Sequence, residues 1–171
     1  MIVLAGDLEV EVRAAAPEDV ALVLRFIRSL AAHQNLTVSA TEESLRDELF
    51  GSSPAACALL AFVRDEPVAY VVYFMTFSTN VARRGLFLED LFVADAYRGQ
   101  GIGEALMAYL ADVAVRHGCA RFEWTVLDEN ESAVRFYRRL GAKMFRNWSI
   151  CRLDGDSLTH VAAKLRVKGE G

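Results

Sequence analysis

The chain has 171 residues, of which 53% are hydrophobic and 25% are charged, and its formal net charge is −4. This length is usual for one domain with a real core, and this composition is that of a globular chain rather than a disordered one. We therefore expect a single domain over residues 1–171. A mildly acidic chain without a Lys/Arg block lacks the electrostatic footprint of nucleic-acid binding, so we expect no nucleic-acid partner.

The cysteines and the N-terminal residues bear on the cellular compartment. Cys57, Cys119 and Cys151 are far apart, odd in number and without a C-x-x-C spacing, which favours reduced thiols. Met1–Gly6 is apolar but lacks the basic start and the length of a signal peptide. No apolar run reaches the roughly 18 residues of a membrane span. We expect a cytoplasmic protein with no membrane partner.

The first half of the chain predicts one strand, two helices and a β-hairpin. An alternating apolar pattern predicts the strand, and a proline and a threonine mark the starts of the two helices. Two apolar β runs around an Asp-Glu-Pro turn predict the hairpin. The predicted elements are a strand over Leu8–Arg13, a helix from Pro17 to near His33, a helix capped by Thr41, and strands over Ala56–Val63 and Val68–Phe77.

The central strand, Leu86–Val93, follows a polar loop over Ser78–Gly85. Its residues are apolar except for two adjacent acids, Glu89 and Asp90. Adjacent carboxylates inside a strand that looks buried are costly unless they are paired or functional. These two acids are therefore the first candidates for chemistry.

A glycine-rich turn then leads into a helix over Ile102–His117. Such a helix start leaves backbone N–H groups unpaired, and together with the helix dipole they form an anion site that suits a pyrophosphate. The glycines at 99, 101 and 103 follow neither the dinucleotide fingerprint nor the P-loop pattern.

The last third predicts a strand, a helix, a strand and a final element. The predicted elements are a strand over Cys119–Leu127, a helix over Glu131–Leu140, a strand over Met144–Leu153, and a final element over Leu158–Val167 that is a helix or a strand, with the helix favoured. The element order predicts a mixed sheet covered by helices.

Two motifs carry a family resemblance. Arg98-x-x-Gly101-x-Gly103 is similar to motif A, [QR]-x-x-G-x-[GA], of the GCN5-related N-acetyltransferases (GNAT superfamily). Asn130-x-x-Ala133-x-x-Phe136-Tyr137-x-x-x-Gly141 is similar to motif B of that superfamily. The stretch 68–142 resembles the diamine acetyltransferase branch. The resemblance implies a single-domain α/β (α+β) fold, with a mixed, mostly antiparallel twisted sheet and helices on both faces. It also implies acetyl-CoA as cosubstrate.

The resemblance implies three groups of coenzyme contacts. In the family, strand residues bond the pantetheine arm, the glycine turn holds the pyrophosphate, and the later helix lines the arm. The matching positions here are Leu91, Phe92 and Val93; Arg98, Gly99, Gln100, Gly101, Ile102, Gly103 and Glu104; and Asn130, Ala133, Tyr137 and Leu140.

The implied chemistry is direct attack by an amine, which must lose a proton, on a thioester, whose leaving thiolate must gain one. Glu89 matches the family's general base, and we expect its burial to raise its pKa. The alternative for Glu89 is a substrate-binding or core-pairing acid. Strand alternation makes Asp90 a structural partner on the opposite face. Tyr137 matches the general acid, with a helix-packing role as its alternative.

The substrate side departs from the branch. His33 and Gln34 stand where the polyamine enzymes carry a Tyr-Glu pair, and Arg83 and Arg84 occupy a loop that is acidic and aromatic in those enzymes. Because a polycation needs carboxylates, we expect a smaller amine with a carboxylate, such as thialysine or lysine, paired with Arg83 or Arg84. A solvated basic turn is the alternative. The predicted substrate side is completed by Glu123 and Trp124.

Two other functions stay open at this level: a peptide or protein N-terminal acetyltransferase, and a coenzyme-A-binding module without turnover. The branch forms homodimers, in some members with exchanged C-terminal segments, so the resemblance implies a homodimer. A lone histidine is not a metal site, so no metal is expected.

Overall fold

The computed structural model describes residues 1–165 and contains two compact units, one over Met1–Asn130 and one that begins at Glu131. That the chain forms one domain stays a prediction. The first unit contains β1 (Ile2–Ala5), β2 (Leu8–Ala14), α1 (Val20–His33), α2 (Glu42–Phe50), β3 (Cys57–Val63), β4 (Glu66–Ser78), β5 (Arg83–Val93), α3 (Ile102–Arg116) and β6 (Arg121–Trp124). Short 3-10 turns precede α1 at Pro17–Asp19 and follow β5 at Asp95–Tyr97. The second unit contains α4 (Glu131–Arg139) and α5 (Gly155–Ala162).

Within the described residues the sheet has six strands in the order β1-β2-β3-β4-β5-β6. All neighbouring strands are antiparallel except β5 and β6, which are parallel and are connected through α3. The predicted mixed, mostly antiparallel sheet is confirmed. Among residues 1–165, no helix combines the length and apolar character that crossing a membrane requires.

Helices cover both faces of this sheet, as predicted. On one face, called the front face here, Val23 and Phe26 of α1 and Leu49 of α2 pack against Leu60 and Tyr70. On the opposite face, called the back face, α3 packs around fully buried Leu86 of β5, which contacts Val113 and Ala114. Burial of these apolar side chains is the main force that holds the layers together.

Two boundaries differ from the predicted ones for reasons of backbone geometry. Arg64 and Asp65 adopt positive φ values of 48° and 67°, so they form the two-residue hairpin turn, and Glu66 and Pro67 belong to β4. Arg83 and Arg84 are not in a loop, because they pair with Ser78 and Phe77 and extend β5. β1, which the sequence does not predict as a strand, pairs along β2.

The C-terminal predictions have mixed outcomes. The strand predicted over 119–127 is shorter, at Arg121–Trp124. The favoured helix near the end is confirmed as α5, and residues 166–167 of that prediction lie outside the described residues. The strand predicted over 144–153 is wrong, because this stretch pairs with no strand in the described chain, and Trp148 and Ile150 are exposed.

Candidate active site

Glu89 is the extra residue of a β-bulge. Val72 of β4 pairs with Asp90 and Tyr73 pairs with Leu88, so Glu89 has no opposite residue on β4. The bulge interrupts side-chain alternation and places both acids on the front face, so the prediction that Asp90 points away from Glu89 is wrong. The expected burial of Glu89 is also wrong, because the residue is exposed.

The sheet opens next to this bulge. The parallel pairing of β6 with β5 ends at Leu88 and Trp124, whereas β5 continues along β4 to Val93. Over residues 89–93, no strand of the described chain therefore pairs with the edge of β5 that faces away from β4. This edge carries the predicted pantetheine contacts Leu91, Phe92 and Val93, and the backbone there has the form that bonds an extended ligand.

The glycine turn has the backbone conformation that an anion site needs. Gly99 and Gly101 adopt φ values of +74° and +84°, which L side chains rarely adopt, and Gly101 is the N-cap of α3. Ile102 is buried and anchors the first turn of α3, and Glu104 also lies in that turn. The turn is therefore anchored by a packed helix.

This turn also lies against the first hairpin. A Cβ on Gly101 would lie 3.3 Å from the carbonyl carbon of Ala5, tighter than an ordinary contact. A cleft of about 580 Å³ lies here, lined by residues 5–8 and by Gly99, Gln100 and Gly101. The Gln100 side-chain amide donates to the Ala96 carbonyl at 2.9 Å. The close backbone approach fits a site in which main-chain N–H groups face a pyrophosphate.

Arg98 ties the turn to the end of β5 and to α1. Its Nε donates to the Val93 carbonyl at 3.0 Å, and its Nη2 lies 2.9 Å from Asp95 Oδ1. His33 Nε2 lies 3.2 Å from the same carboxylate oxygen and 3.0 Å from Arg98 Nη2. The described contacts of His33 are therefore in the predicted coenzyme turn. Gln34 is the C-cap of α1, and its backbone N–H donates to carbonyls of the last turn.

Asp90 is the structural partner that the sequence predicts. The Tyr70 hydroxyl donates to Asp90 Oδ2 at 2.7 Å. Burial raises the pKa of Asp90, and the hydrogen bond from Tyr70 opposes that shift in pKa without reversing it. Burial, followed by the nearby carboxylates, raises the pKa of Tyr70.

The predicted substrate residues do not all lie together. Arg83 is six residues from Glu89, about 20 Å along the strand, and Arg84 shares the back face with Leu86. Trp124 packs its ring against Phe122 with centroids 4.9 Å apart. Glu123 pairs with Arg121, with Nε and Oε2 2.7 Å apart.

In the second unit, Tyr137 is buried on α4, and burial raises the pKa of its phenol. Ala133 lies one helical turn before it, and Leu140, at 37% exposure, follows the end of the helix. Asn130 directly precedes α4. A phenol with a raised pKa is fully protonated near neutral pH and is available as a proton donor.

Sequence reasoning missed four residues that organise the site. Tyr70 donates to Asp90, and Asp95 joins His33 to Arg98. Arg121 pairs with Glu123, and the Ala5 backbone occupies the space that a Cβ on Gly101 would need. The spacing of Arg121 and Glu123, two apart on one strand, was a readable signal. The other three contacts depend on packing between distant segments, which no local pattern encodes.

An exposed carboxylate at a β-bulge, a strand edge that no strand of the described chain pairs with, and a glycine-rich helix start follow one another between residues 89 and 103. The model of the Acetyltransferase (GNAT) family matches residues 25–142. The chain belongs to the GNAT family of acetyltransferases and is an N-acetyltransferase.

Curated relatives and a solved structure agree with this assignment. A thialysine N-epsilon-acetyltransferase of Sus scrofa is 36% identical over 90% of this chain and 97% of its own length. An L-ornithine N5-acetyltransferase of Arabidopsis thaliana is 28% identical, over 88% of this chain and 86% of its own length. An integron cassette protein from the mobile metagenome of V. cholerae has a TM-score of 0.76 and 28% identity, over 90% of this chain and 97% of the other.

Proposed function

We propose that the protein transfers the acetyl group of acetyl-CoA to the primary amine of a small, amino-acid-like substrate by direct attack. The observation that carries the proposal is the position of Glu89, at the bulge where the pairing of β5 with β6 ends. A carboxylate at that point lies beside an extended ligand bound along 91–93. The similarity to thialysine N-epsilon-acetyltransferases supports the amino-acid-like substrate.

Glu89 is the proposed general base and takes the amine proton through one bridging water. An ammonium group is not a nucleophile, so the amine must lose a proton before it attacks the thioester. The exposure of Glu89 supports this role, because a proton accepted there passes to solvent without crossing apolar packing.

The proposal assigns a separate part of the chain to each part of acetyl-CoA. The backbone of Leu91–Val93 is proposed to bond the pantetheine arm, and one N–H there polarises the acetyl carbonyl. The N–H groups of Gly99–Glu104 and the charge of Arg98 are proposed to hold the pyrophosphate. The absence of a side chain at Gly101 fits this site, because a Cβ would fill the narrow space beside Ala5.

Tyr137 is the proposed general acid that protonates the departing thiolate. Its burial and its raised pKa support a phenol that holds its proton until a strong base forms nearby. Asn130, Ala133 and Leu140 are proposed to line the path of the arm. The three cysteines are not needed in a direct-attack mechanism.

We further propose a cytoplasmic homodimer. Large apolar side chains that a monomer leaves exposed in the second unit support a dimer: Phe145, Trp148, Ile150, Leu153, Leu158, Val161 and Leu165. Exposed apolar surface of this extent is typical of an association surface.

Thiol release from acetyl-CoA across a panel of amines tests the proposal. The panel contains lysine, thialysine, ornithine, putrescine, spermidine and a short peptide with a free N-terminus. We expect the amino acids to lead and Glu89→Gln to lower kcat at least a hundredfold while binding of acetyl-CoA survives. A lead by spermidine contradicts the proposed substrate class, and full activity of Glu89→Gln contradicts the proposed base.

A further inference from the structure

One ion pair on the front face is not used by the proposed chemistry. Arg121 and Glu123 lie two residues apart on β6 and pair with Gly85 and Phe87 of β5. Because Phe122 packs on the back face with Leu86, its two neighbours project from the front face. Their charged groups meet at 2.7 Å, and both side chains are about 40% exposed. A ligand on this face has access to both charges.

Gly85 makes the room in which Arg121 lies. A Cβ at Gly85 would lie 3.1 Å from Arg121 Cγ and 2.6 Å from Thr76 Oγ1, so the arginine stem crosses the sheet where the glycine has no side chain. The Thr76 hydroxyl is buried there and makes no hydrogen bond among the described residues. The space that a side chain at position 85 would fill is therefore occupied by the Arg121 stem and bordered by the Thr76 hydroxyl.

The distance from Glu89 to this ion pair is comparable to the length of a lysine side chain. Glu123 is level with Phe87, which lies two residues from Glu89 on the same face, or about 7 Å along the strand. An extended lysine side chain spans about 6 Å from its terminal nitrogen to its α-carbon. Phe87 is level with Glu123, and its ring packs against the Phe74 ring in a tilted contact with centroids 5.2 Å apart, which provides an apolar floor for methylene groups.

We propose that Arg121 and Glu123 form the subsite that reads the α-carboxylate and α-ammonium of an amino-acid substrate. The inference rests on the proposed function, because it assumes that the reacting amine lies at Glu89. An exposed ion pair contributes little to stability by itself. Replacing the contact between Arg121 and Glu123 by contacts with the two charges of a bound zwitterion therefore costs little free energy. Arg121 binds the carboxylate, and Glu123 binds the ammonium group.

This assignment differs from the one that the sequence favours. Arg83 lies about 20 Å along β5 from Glu89, and Arg84 lies on the back face, so neither reaches a group that is one lysine length from the base. Arg121 Nε lies beside Gly85 and 2.7 Å from Glu123 Oε2, so the pair spans the levels of Gly85 and Phe87, about 7–13 Å along the strand from Glu89.

Four amines separate the two charges. Lysine carries both groups, 6-aminohexanoate lacks the α-ammonium, 1,5-diaminopentane lacks the carboxylate, and pentylamine lacks both. We expect Arg121→Gln to lower kcat/KM at least tenfold for lysine and 6-aminohexanoate and to change it less than twofold for the other two. Glu123→Gln should lower it for lysine and 1,5-diaminopentane and spare 6-aminohexanoate. Gly85→Ala should act like Arg121→Gln, because it displaces the arginine stem.

Arg116→Gln is the matched control, since Arg116 also forms an exposed ion pair, with Asp112 on α3, and should leave all four rates unchanged. An equal effect of Arg121→Gln on all four amines overturns the subsite. The subsite is also overturned if an Arg83→Ala/Arg84→Ala variant loses the preference for lysine while Arg121→Gln keeps it. If either result is found, turnover of pentylamine still supports acetyl transfer to an amine, so the subsite alone is overturned. Absence of turnover with every amine overturns both proposals.

Discussion

The hydroxyl of Tyr70 donates a 2.7 Å hydrogen bond to Asp90, one residue beyond the bulge that presents Glu89. Tyr70 is fully buried between β3 and β5, and its ring stacks on Phe26 of α1 with centroids 5.4 Å apart. The front-face core thus fixes the strand position next to the proposed base. Substitutions at this pair should act on stability.

Tyr70→Phe should lower the free energy of unfolding by about 1–3 kcal/mol, because it leaves a largely buried carboxylate without its donor. Tyr97→Phe is the matched control, since Tyr97 donates an equally short 2.7 Å bond to Glu66 at an exposed site. We expect that control to change stability by less than about 0.5 kcal/mol. Urea denaturation measures both, and equal losses would show that burial of Asp90 is not what makes the bond important.

Asp90→Asn should alter how stability depends on pH. Because burial raises the pKa of Asp90 in the folded state, the folded protein holds this proton to higher pH than the unfolded chain does. The contribution of Asp90 is therefore complete below its unfolded pKa and is lost as pH rises through the folded value. Asparagine keeps an acceptor for Tyr70 and does not ionise. The variant should gain stability relative to wild type as pH rises from about 4, the ordinary pKa of an aspartate, toward neutrality.

Urea unfolding of both proteins across that pH range checks this expectation, with Asp112→Asn as the control for loss of one exposed carboxylate. A stability difference between Asp90→Asn and wild type that stays constant with pH would contradict a raised pKa of Asp90 in the folded protein.

Gly101→Ala should impair acetyl-CoA binding more than Gly99→Ala does. Both glycines have φ values near +80°, so both variants carry a backbone strain of about 1 kcal/mol. Only at Gly101 would the new Cβ also press on Ala5, whereas nothing lies within 4 Å of a Cβ at Gly99. The KM for acetyl-CoA and calorimetric binding of coenzyme A measure the difference. Equal effects would mean that the contact with Ala5 does not shape the turn.

His33→Ala should raise the KM for acetyl-CoA and leave the KM for the amine unchanged. The sequence predicts a substrate role for His33, but its described contacts are with Asp95, Arg98 and the Phe92 ring. The network is half-exposed, so we expect a modest change of about two- to fivefold. Asp95→Asn should reproduce it, and the double variant should be no worse than either single one. A change in the amine KM alone would restore the original assignment.

Trp148→Ser combined with Ile150→Ser should shift a dimer toward monomer. Both side chains are more than 70% exposed in the single chain, so in a monomer their loss removes little packing. Light scattering after size exclusion measures the mass of each species. The control is Leu4→Ser, an equally apolar change on β1 at an exposed residue of the first unit. A wild-type chain that is monomeric at all concentrations contradicts the dimer.

The elements that local rules govern could be predicted, and those that depend on a distant neighbour could not. Thr41 caps α2 because its side chain accepts from the Ser44 N–H, which is a property of four consecutive residues. The bulge at Glu89 requires a comparison of β5 with β4, and the alternation rule fails at that residue. The strand predicted over 144–153 contains many apolar residues, but composition does not supply the neighbouring strand that a sheet needs.

In the candidate site, too, the features set by neighbouring residues could be predicted, and those set by distant residues could not. The glycine turn and its helix are contiguous, so the sequence located them, and the family motifs assigned a role to each residue. Arg83 and Arg84 suggested a substrate loop because a run of polar residues reads as a loop until its pairing with Ser78 is seen. The contacts of His33 with Asp95 and Arg98 join segments more than 60 residues apart, which only the folded chain brings together.

In the described part of the chain, each strand of the sheet lies beside the strand that precedes it in sequence. The first five strands can therefore add one after another as the polypeptide is synthesised, each onto an edge that already exists. Only β6 must wait for α3 to form and cross the sheet before it pairs with β5. The half of the sheet that carries the bulge can be in place before the coenzyme turn has been translated. Late folding of this enzyme is thus concentrated on the side where the cosubstrate is proposed to bind.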